Sequence, residues 1–132
     1  MKRIKGICMV DDDEIFRFLT SEIIQQTQLV ERILSFDNGR EALEFLTKES
    51  ANPERLPEVI LLDLNMPVMD GWEFLDEYVL LLPRIGKKIV LYIVSSSISP
   101  KDILRAKTIS AVSDYIIKPV TEEQVLRILQ EL

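Results

Sequence analysis

The sequence predicts an α/β domain built on an open parallel sheet. Short apolar runs alternate with amphipathic stretches five times along 132 residues. The runs are nearly continuous in apolar residues, as in strands buried on both faces. No linker or low-complexity segment interrupts them, and repeated βα pairs imply a parallel sheet with helices on both faces.

Each element has its own signal. Ile4 to Val10 reads as the first strand. Asp13 to about Thr27 follows as a helix, with Ile15, Phe16, Leu19, Ile23 and Ile24 at helical spacing. Val30 to Phe36 is a strand rich in β-branched residues, closed by a turn at Asp37-Asn38-Gly39. Arg40 to about Glu49 is a helix, apolar at Ala42, Leu43, Phe45 and Leu46, and Ser50 to Pro57 is a surface loop with two prolines. Val59 to Leu62 is a short apolar strand, followed by a helix from Trp72 to about Leu82 on Phe74, Leu75, Tyr78, Val79 and Leu82. Pro83 to Lys87 breaks that helix, and Lys88 to Val94 is the fourth strand. Ser99 as cap, Pro100 at the first helical position and Asp102 in the first turn start a helix running to about Thr108. Tyr115 to Ile117 is the fifth strand, and Thr121-Glu122-Glu123-Gln124 forms a capping box for a helix to Leu132. The sum is a single (βα)5 domain over residues 1–132, expected in the flavodoxin-like strand order 2-1-3-4-5 with right-handed crossovers.

Composition narrows the function. A net charge of −6, without a Lys/Arg cluster, argues against nucleic-acid binding. Cys8 stands alone in an apolar run and reads as a buried structural thiol. One cysteine builds no disulfide framework, which fits a reducing, cytoplasmic setting. The start Met1-Lys2-Arg3-Ile4-Lys5-Gly6 lacks the features of a signal peptide, and no apolar run reaches membrane-spanning length. The chain has no histidine, which removes histidine metal sites, histidine bases and a phosphohistidine-carrier role.

The chemistry gathers at the carboxyl ends of the strands, where open parallel sheets bind ligands. The first strand runs into Asp11-Asp12, the third into Asp63, the fourth into Ser95-Ser96-Ser97 and the fifth into Lys118-Pro119. Carboxylates converging from two strands repel and call for a cation or a shared proton. A hard divalent ion with oxygen ligands, such as Mg²⁺, suits them. No Ser-His pair or cysteine nucleophile accompanies them, so acyl transfer by a triad is excluded. Asp13 and Glu14 read as acids at a helix start, and Trp72 as a packing or surface aromatic.

Taken together, Val10-Asp11-Asp12, the run Asp63-Leu64-Asn65-Met66-Pro67-Val68-Met69-Asp70-Gly71, a hydroxyl after the fourth strand and Tyr115-Ile116-Ile117-Lys118-Pro119 resemble the receiver domain of two-component response regulators. The resemblance spans almost the whole chain, in order. It implies that Asp63 is a phosphoacceptor and nucleophile. It implies that Asp12 ligates Mg²⁺ directly, that Asp11 holds a metal-bound water or a second coordination position, and that the Asn65 backbone carbonyl is a further ligand. Lys118 would neutralise the phosphoryl group and pair with Asp63 when the site is empty, and the bond between Lys118 and Pro119 would be cis. Ser95, or else Ser96, would bond a phosphoryl oxygen, and Tyr115 would be an aromatic switch. Asn65 and Ser97 stand at positions that tune hydrolysis.

The resemblance further implies a single-domain response regulator. A sensor histidine kinase or a histidine phosphotransfer protein would be its donor. It would catalyse its own phosphorylation and slow autodephosphorylation, without being a conventional enzyme. The chain stops at the end of the last expected helix, so output is expected through protein contacts at the fourth helix, Tyr115 and the last helix. Two other readings use the same residues. One is a receiver-like interaction module independent of phosphorylation, against which Asp12, Asp63 and Lys118 stand. The other is an aspartate-nucleophile phosphohydrolase resembling the haloacid dehalogenases, which needs a second Asp where this chain has Asn65.

Overall fold

The computed structural model describes residues 3–132, so the expectation for the chain start at Met1 and Lys2 lies outside the described residues. Five strands, β1 (Ile4–Val10), β2 (Val30–Phe36), β3 (Val59–Leu62), β4 (Val90–Ser95) and β5 (Val112–Ile117), alternate with five α-helices. The helices are α1 (Glu14–Gln26), α2 (Gly39–Lys48), α3 (Gly71–Leu81), α4 (Pro100–Lys107) and α5 (Glu122–Gln130). The strands form one sheet in the order β2-β1-β3-β4-β5, and all four pairings are parallel. This is the expected flavodoxin-like order.

The period-2 geometry of a strand sends successive side chains to opposite faces. On the central strands both faces are covered. Cys8, Val10, Ile60, Leu62, Leu91 and Ile93 join one core with Phe74, Leu75 and Tyr78 of α3, Leu46 of α2 and Ala106 of α4. Ile7, Met9, Val59, Leu61, Tyr92 and Val94 join the other with Ile24 of α1 and Val125, Ile128 and Leu129 of α5. Cys8 is fully buried, and burial pushes its thiol up to about 12. Among the described residues, no helix is long and apolar enough to cross a membrane.

Several boundaries and faces differ from expectation, each for a local reason. β5 begins at Val112 rather than Tyr115, because an edge strand tolerates the exposed polar pair Ser113 and Asp114, which broke the apolar signal. β4 begins at Val90 rather than Lys88. The helix expected from Arg40 starts at Gly39, with Asn38 accepting the Glu41 N–H at 2.9 Å, and α3 starts at Gly71 on Asp70. The loop after α2 holds a 3₁₀ turn at Pro53–Arg55, and the break after α3 holds another at Leu82–Arg84. α5 ends at Gln130, short of Leu132.

On α1, Ile15 and Leu19, two of the residues at helical spacing, are 72% and 56% exposed, and Phe18 is exposed beside them. Ile24 and Thr20 are its buried residues, with Phe16 and Ile23 half-buried. Val79 of α3 also faces outward. Ser99 sits at the cap of α4 but its side chain makes no capping bond. Ser97 ties the helix start down in another way: its Oγ accepts the Ser99 N–H at 3.3 Å and donates to the Asp102 carboxylate at 2.8 Å.

Candidate functional site

The sheet's own hydrogen bonding places the residues that follow the strands. Asp11 N–H donates to the Phe36 carbonyl at 3.0 Å, Asp63 N–H to the Val10 carbonyl at 2.9 Å, and Lys118 N–H to the Ser95 carbonyl at 2.9 Å. The ladder thus continues one residue beyond β1, β3 and β5. Rigid strands therefore hold the roots of Asp11, Asp63 and Lys118 along one edge of the sheet.

Loop turns then complete the placement. Asp11 Oδ1 accepts the Asp13 N–H at 2.9 Å, and Asp13 caps α1 by accepting the Phe16 N–H at 3.1 Å. Asp63 Oδ1 accepts the Leu64 N–H at 2.9 Å. Downstream, Asp70 and Glu73 form a reciprocal capping box on α3. Gly71 N–H bonds the Leu64 carbonyl, folding the loop back so closely that a Cβ there would lie 2.5 Å from the Asp63 carbonyl oxygen. Only glycine fits this approach. Val68, at the tip of the loop, is a β-branched residue at φ 72°, in the left-handed region, and 75% exposed.

Carboxylate oxygens of Asp11, Asp12 and Asp63 lie within 4.8 Å of one another. Asp11 and Asp63 are buried, whereas Asp12 opens to solvent. The Lys118 ammonium stands 2.8 Å from Asp11 Oδ2 and 3.8 Å from Asp63 Oδ1. The closer partner is thus Asp11, although the resemblance implied Asp63. Asp11 Oδ2 is held by the Lys118 ammonium, while Oδ1 accepts the Asp13 N–H. Three carboxylates converging beside a single lysine leave the pocket with excess negative charge, which fits a hard cation.

Electrostatics agree with crowding. Burial first, and then the Asp11 charge, push the Asp63 carboxyl up to about 6, against the pull of Lys118 and of the Asn65 and Leu64 N–H groups. Asp11 is also raised, mainly by burial, although Lys118 and the Asp13 N–H favour its charged form. Two carboxylates in one low-dielectric pocket resist joint ionisation, and one lysine does not cancel the effect.

The hydroxyl run divides cleanly. Ser95 is fully buried at the end of β4 and accepts the Ser97 N–H at 3.1 Å, while Ser96 is exposed. Tyr115 is half-buried and donates its hydroxyl to the Ser97 carbonyl at 2.8 Å. Ser97 therefore links Ser95, Tyr115 and, through Asp102, helix α4. Asn65 is exposed on the loop after Asp63, and the Lys118–Pro119 bond is cis.

A family model for the response regulator receiver domain matches residues 7–130. The chain belongs to that family. This receiver domain is similar to a crystallised two-component response regulator from Cytophaga hutchinsonii, with 30% identity and a TM-score of 0.86 over 99% of this chain and 100% of that one. It is 29% identical over 126 residues to the probable methanogenesis regulatory protein FilR2 of Methanothrix harundinacea, covering 96% of this chain and 79% of FilR2. It is 27% identical over 127 residues to the two-component response regulator ORR1 of Oryza sativa subsp. japonica, covering 95% of this chain. The receiver domain spans 54% of the rice protein's length.

Sequence reasoning missed three contacts around this receiver site. Phe16 entered only as one of the apolar residues at helical spacing; it packs on the core and also places its ring centroid 4.4 Å from Lys118 Nζ. Its place one turn beyond the acidic pair was the available signal. Ser97 was one of three equivalent hydroxyls, and nothing in its spacing marked it as the link to α4. The Arg105 guanidinium of α4 lies 4.3 Å from the centroid of Trp72, joining α4 to the start of α3.

Proposed function

We propose that residues 1–132 form one phosphoacceptor domain of a two-component phosphorelay, with Asp63 taking the phosphoryl group. The observation that carries this is the convergence of Asp11, Asp12 and Asp63 oxygens within 4.8 Å of one another, with the Lys118 ammonium beside Asp11 and Asp63. A phosphohistidine on a sensor kinase or a phosphotransfer protein is the donor. An Asp63 carboxylate oxygen forms the bond to phosphorus, and the bond to the donor imidazole nitrogen breaks, its electron pair leaving with the histidine. With its carboxyl at about 6, Asp63 is mostly ionised at neutral pH.

Asp11, Asp12, Asp63 and the Asn65 carbonyl would hold Mg²⁺, which when bound supplies positive charge to the phosphoryl oxygens. Lys118 adds a second cation to the same group, and its long side chain, 16% exposed, reaches the site from β5. Such positioning and charge neutralisation account for most catalysis of phosphoryl transfer. The same groups support slow hydrolysis of the aspartyl phosphate. Ser95 rather than Ser96 is the hydroxyl for a phosphoryl oxygen, since Ser95 ends the strand and Ser96 opens to solvent.

Signalling then runs through Ser95, Ser97 and Tyr115. Engaging Ser95 Oγ with a phosphoryl oxygen competes with its bond to the Ser97 N–H, and Ser97 carries both the Tyr115 hydroxyl and Asp102 of α4. This biases a two-state element on the face formed by α4, β5 and α5, where a protein partner reads it in the cytoplasm. The test is transfer from a panel of phosphohistidine donors to wild type, Asp12→Ala and Asp13→Ala in the presence of Mg²⁺. Wild type and Asp13→Ala should be labelled and Asp12→Ala impaired. Equal impairment of the two variants counts against the pocket described.

A further inference from the structure

We infer that Phe16 is a positioning residue for phosphoryl transfer: its ring is the shelf that keeps the Lys118 ammonium between Asp11 and Asp63. This rests on the phosphoacceptor reading above. Lys118 is fixed at its root by the N–H bond to the Ser95 carbonyl, but four methylenes separate that root from the ammonium. A lysine side chain left to itself samples many rotamers. Three groups hold the head: Asp11 Oδ2 at 2.8 Å, Asp63 Oδ1 at 3.8 Å and the Phe16 ring at 4.4 Å to its centroid.

The three contacts differ in kind. The carboxylates attract by charge, and a bound cation or an incoming phosphoryl group changes that charge balance. The ring attracts through its quadrupole, which has no charge to be neutralised, and a partly desolvated site strengthens such contacts. Phe16 therefore goes on holding Lys118 in the site when the grip of the two carboxylates weakens. Its own position is set by the first turn of α1, where its N–H is bonded to the capping Asp13 carboxylate. Ile15, Phe18 and Leu19 of the same turn and the next face solvent, so Phe16 is the aromatic here directed onto the site.

The test uses Phe16→Leu, which keeps an apolar side chain without a π face, and Phe16→Tyr, which keeps the face. In metal-free wild type, the Lys118 ε-methylene protons should show an upfield ring-current shift by NMR. Phe16→Tyr should retain it and Phe16→Leu should lose it. The rate of Asp63 labelling by phosphoramidate at saturating Mg²⁺ should fall about tenfold in Phe16→Leu and be preserved in Phe16→Tyr. In a Lys118→Met background, adding Phe16→Leu should cause no further loss, because a residue acting through Lys118 has nothing left to position. An ordinary lysine shift in wild type, an unchanged rate in Phe16→Leu, or an equal loss in the Lys118→Met background overturns the inference while Asp63 labelling stands. Wild type that takes no label at all overturns the phosphoacceptor reading itself, and this role with it.

Discussion

Replacing Asp63 by Asn should stabilise the metal-free fold at neutral pH and leave it unchanged in acid. Asp63 moves from an ordinary 3.8 to about 6 on folding, a rise caused by burial and by Asp11. Its side chain is 6% exposed, so solvent screens little of this. A shift of roughly two units, at about 1.4 kcal/mol each, corresponds to about 3 kcal/mol. The sign follows from proton counting. A carboxyl whose folded value lies above its unfolded value binds more protons folded than unfolded between those two values. Stability is therefore lost as pH rises through that window. Below about pH 4 both states are protonated, and acid and amide differ little. Above about pH 6 the wild type carries the full cost, and the neutral Asn avoids it while still accepting the Leu64 N–H that Asp63 accepts at 2.9 Å. Urea unfolding of both proteins in chelator, across pH 4 to 8, should show a difference growing from near zero to about 2–3 kcal/mol. Mg²⁺ should narrow the gap by stabilising the wild type. A destabilised Asp63→Asn at neutral pH, or a gain that does not vary with pH, would refute the reasoning.

Three further substitutions probe the surrounding frame. Gly71→Ala places a methyl 2.5 Å from the Asp63 carbonyl oxygen and 2.8 Å from Leu64 Cα, so it should cost about 2 kcal/mol or more in urea unfolding. Val68→Asn relieves a β-branched residue at φ 72° without removing a buried contact, and should raise stability by about 1 kcal/mol in the same assay. Ser97→Ala removes the bonds to Asp102 and to the Ser99 N–H, and should cost about 1 kcal/mol. Hydrogen exchange at the first turn of α4 should rise selectively in that variant.

How much of this was legible in the chain depends on the kind of signal. A parallel sheet covered on both faces followed from continuous apolar runs such as Val59 to Leu62, and the strand order from the flavodoxin-like class of repeated βα pairs. β5 was read short, because an edge strand carries Ser113 and Asp114 without penalty and the apolar pattern starts late. The residues beyond the strands were legible because the backbone ladder itself delivers Asp11, Asp63 and Lys118 to one edge. Contacts made by flexible or equivalent side chains were not. That Lys118 stands nearer Asp11 than Asp63, and over Phe16, depends on rotamers that periodicity does not encode. Ser99 stands at the cap of α4 but makes no capping bond, and the tie to the helix runs instead from Ser97 Oγ to the Asp102 carboxylate, a choice of rotamers that the sequence does not encode. Ile15 and Leu19 share the helical spacing of Phe16, Ile23 and Ile24, yet they look toward solvent while Phe16, Ile23 and Ile24 pack on the core.

The central claim is that Asp63 is the chemical centre of this receiver domain. Treating wild type and Asp63→Asn with acetyl phosphate and Mg²⁺, then measuring intact mass and mapping the adduct, tests it most directly. One phosphoryl group on Asp63 in the wild type, lost on chelation of Mg²⁺ before the reaction and lost in Asp63→Asn, is the expected result. Undiminished labelling of Asp63→Asn, or an adduct at another residue, would contradict the account.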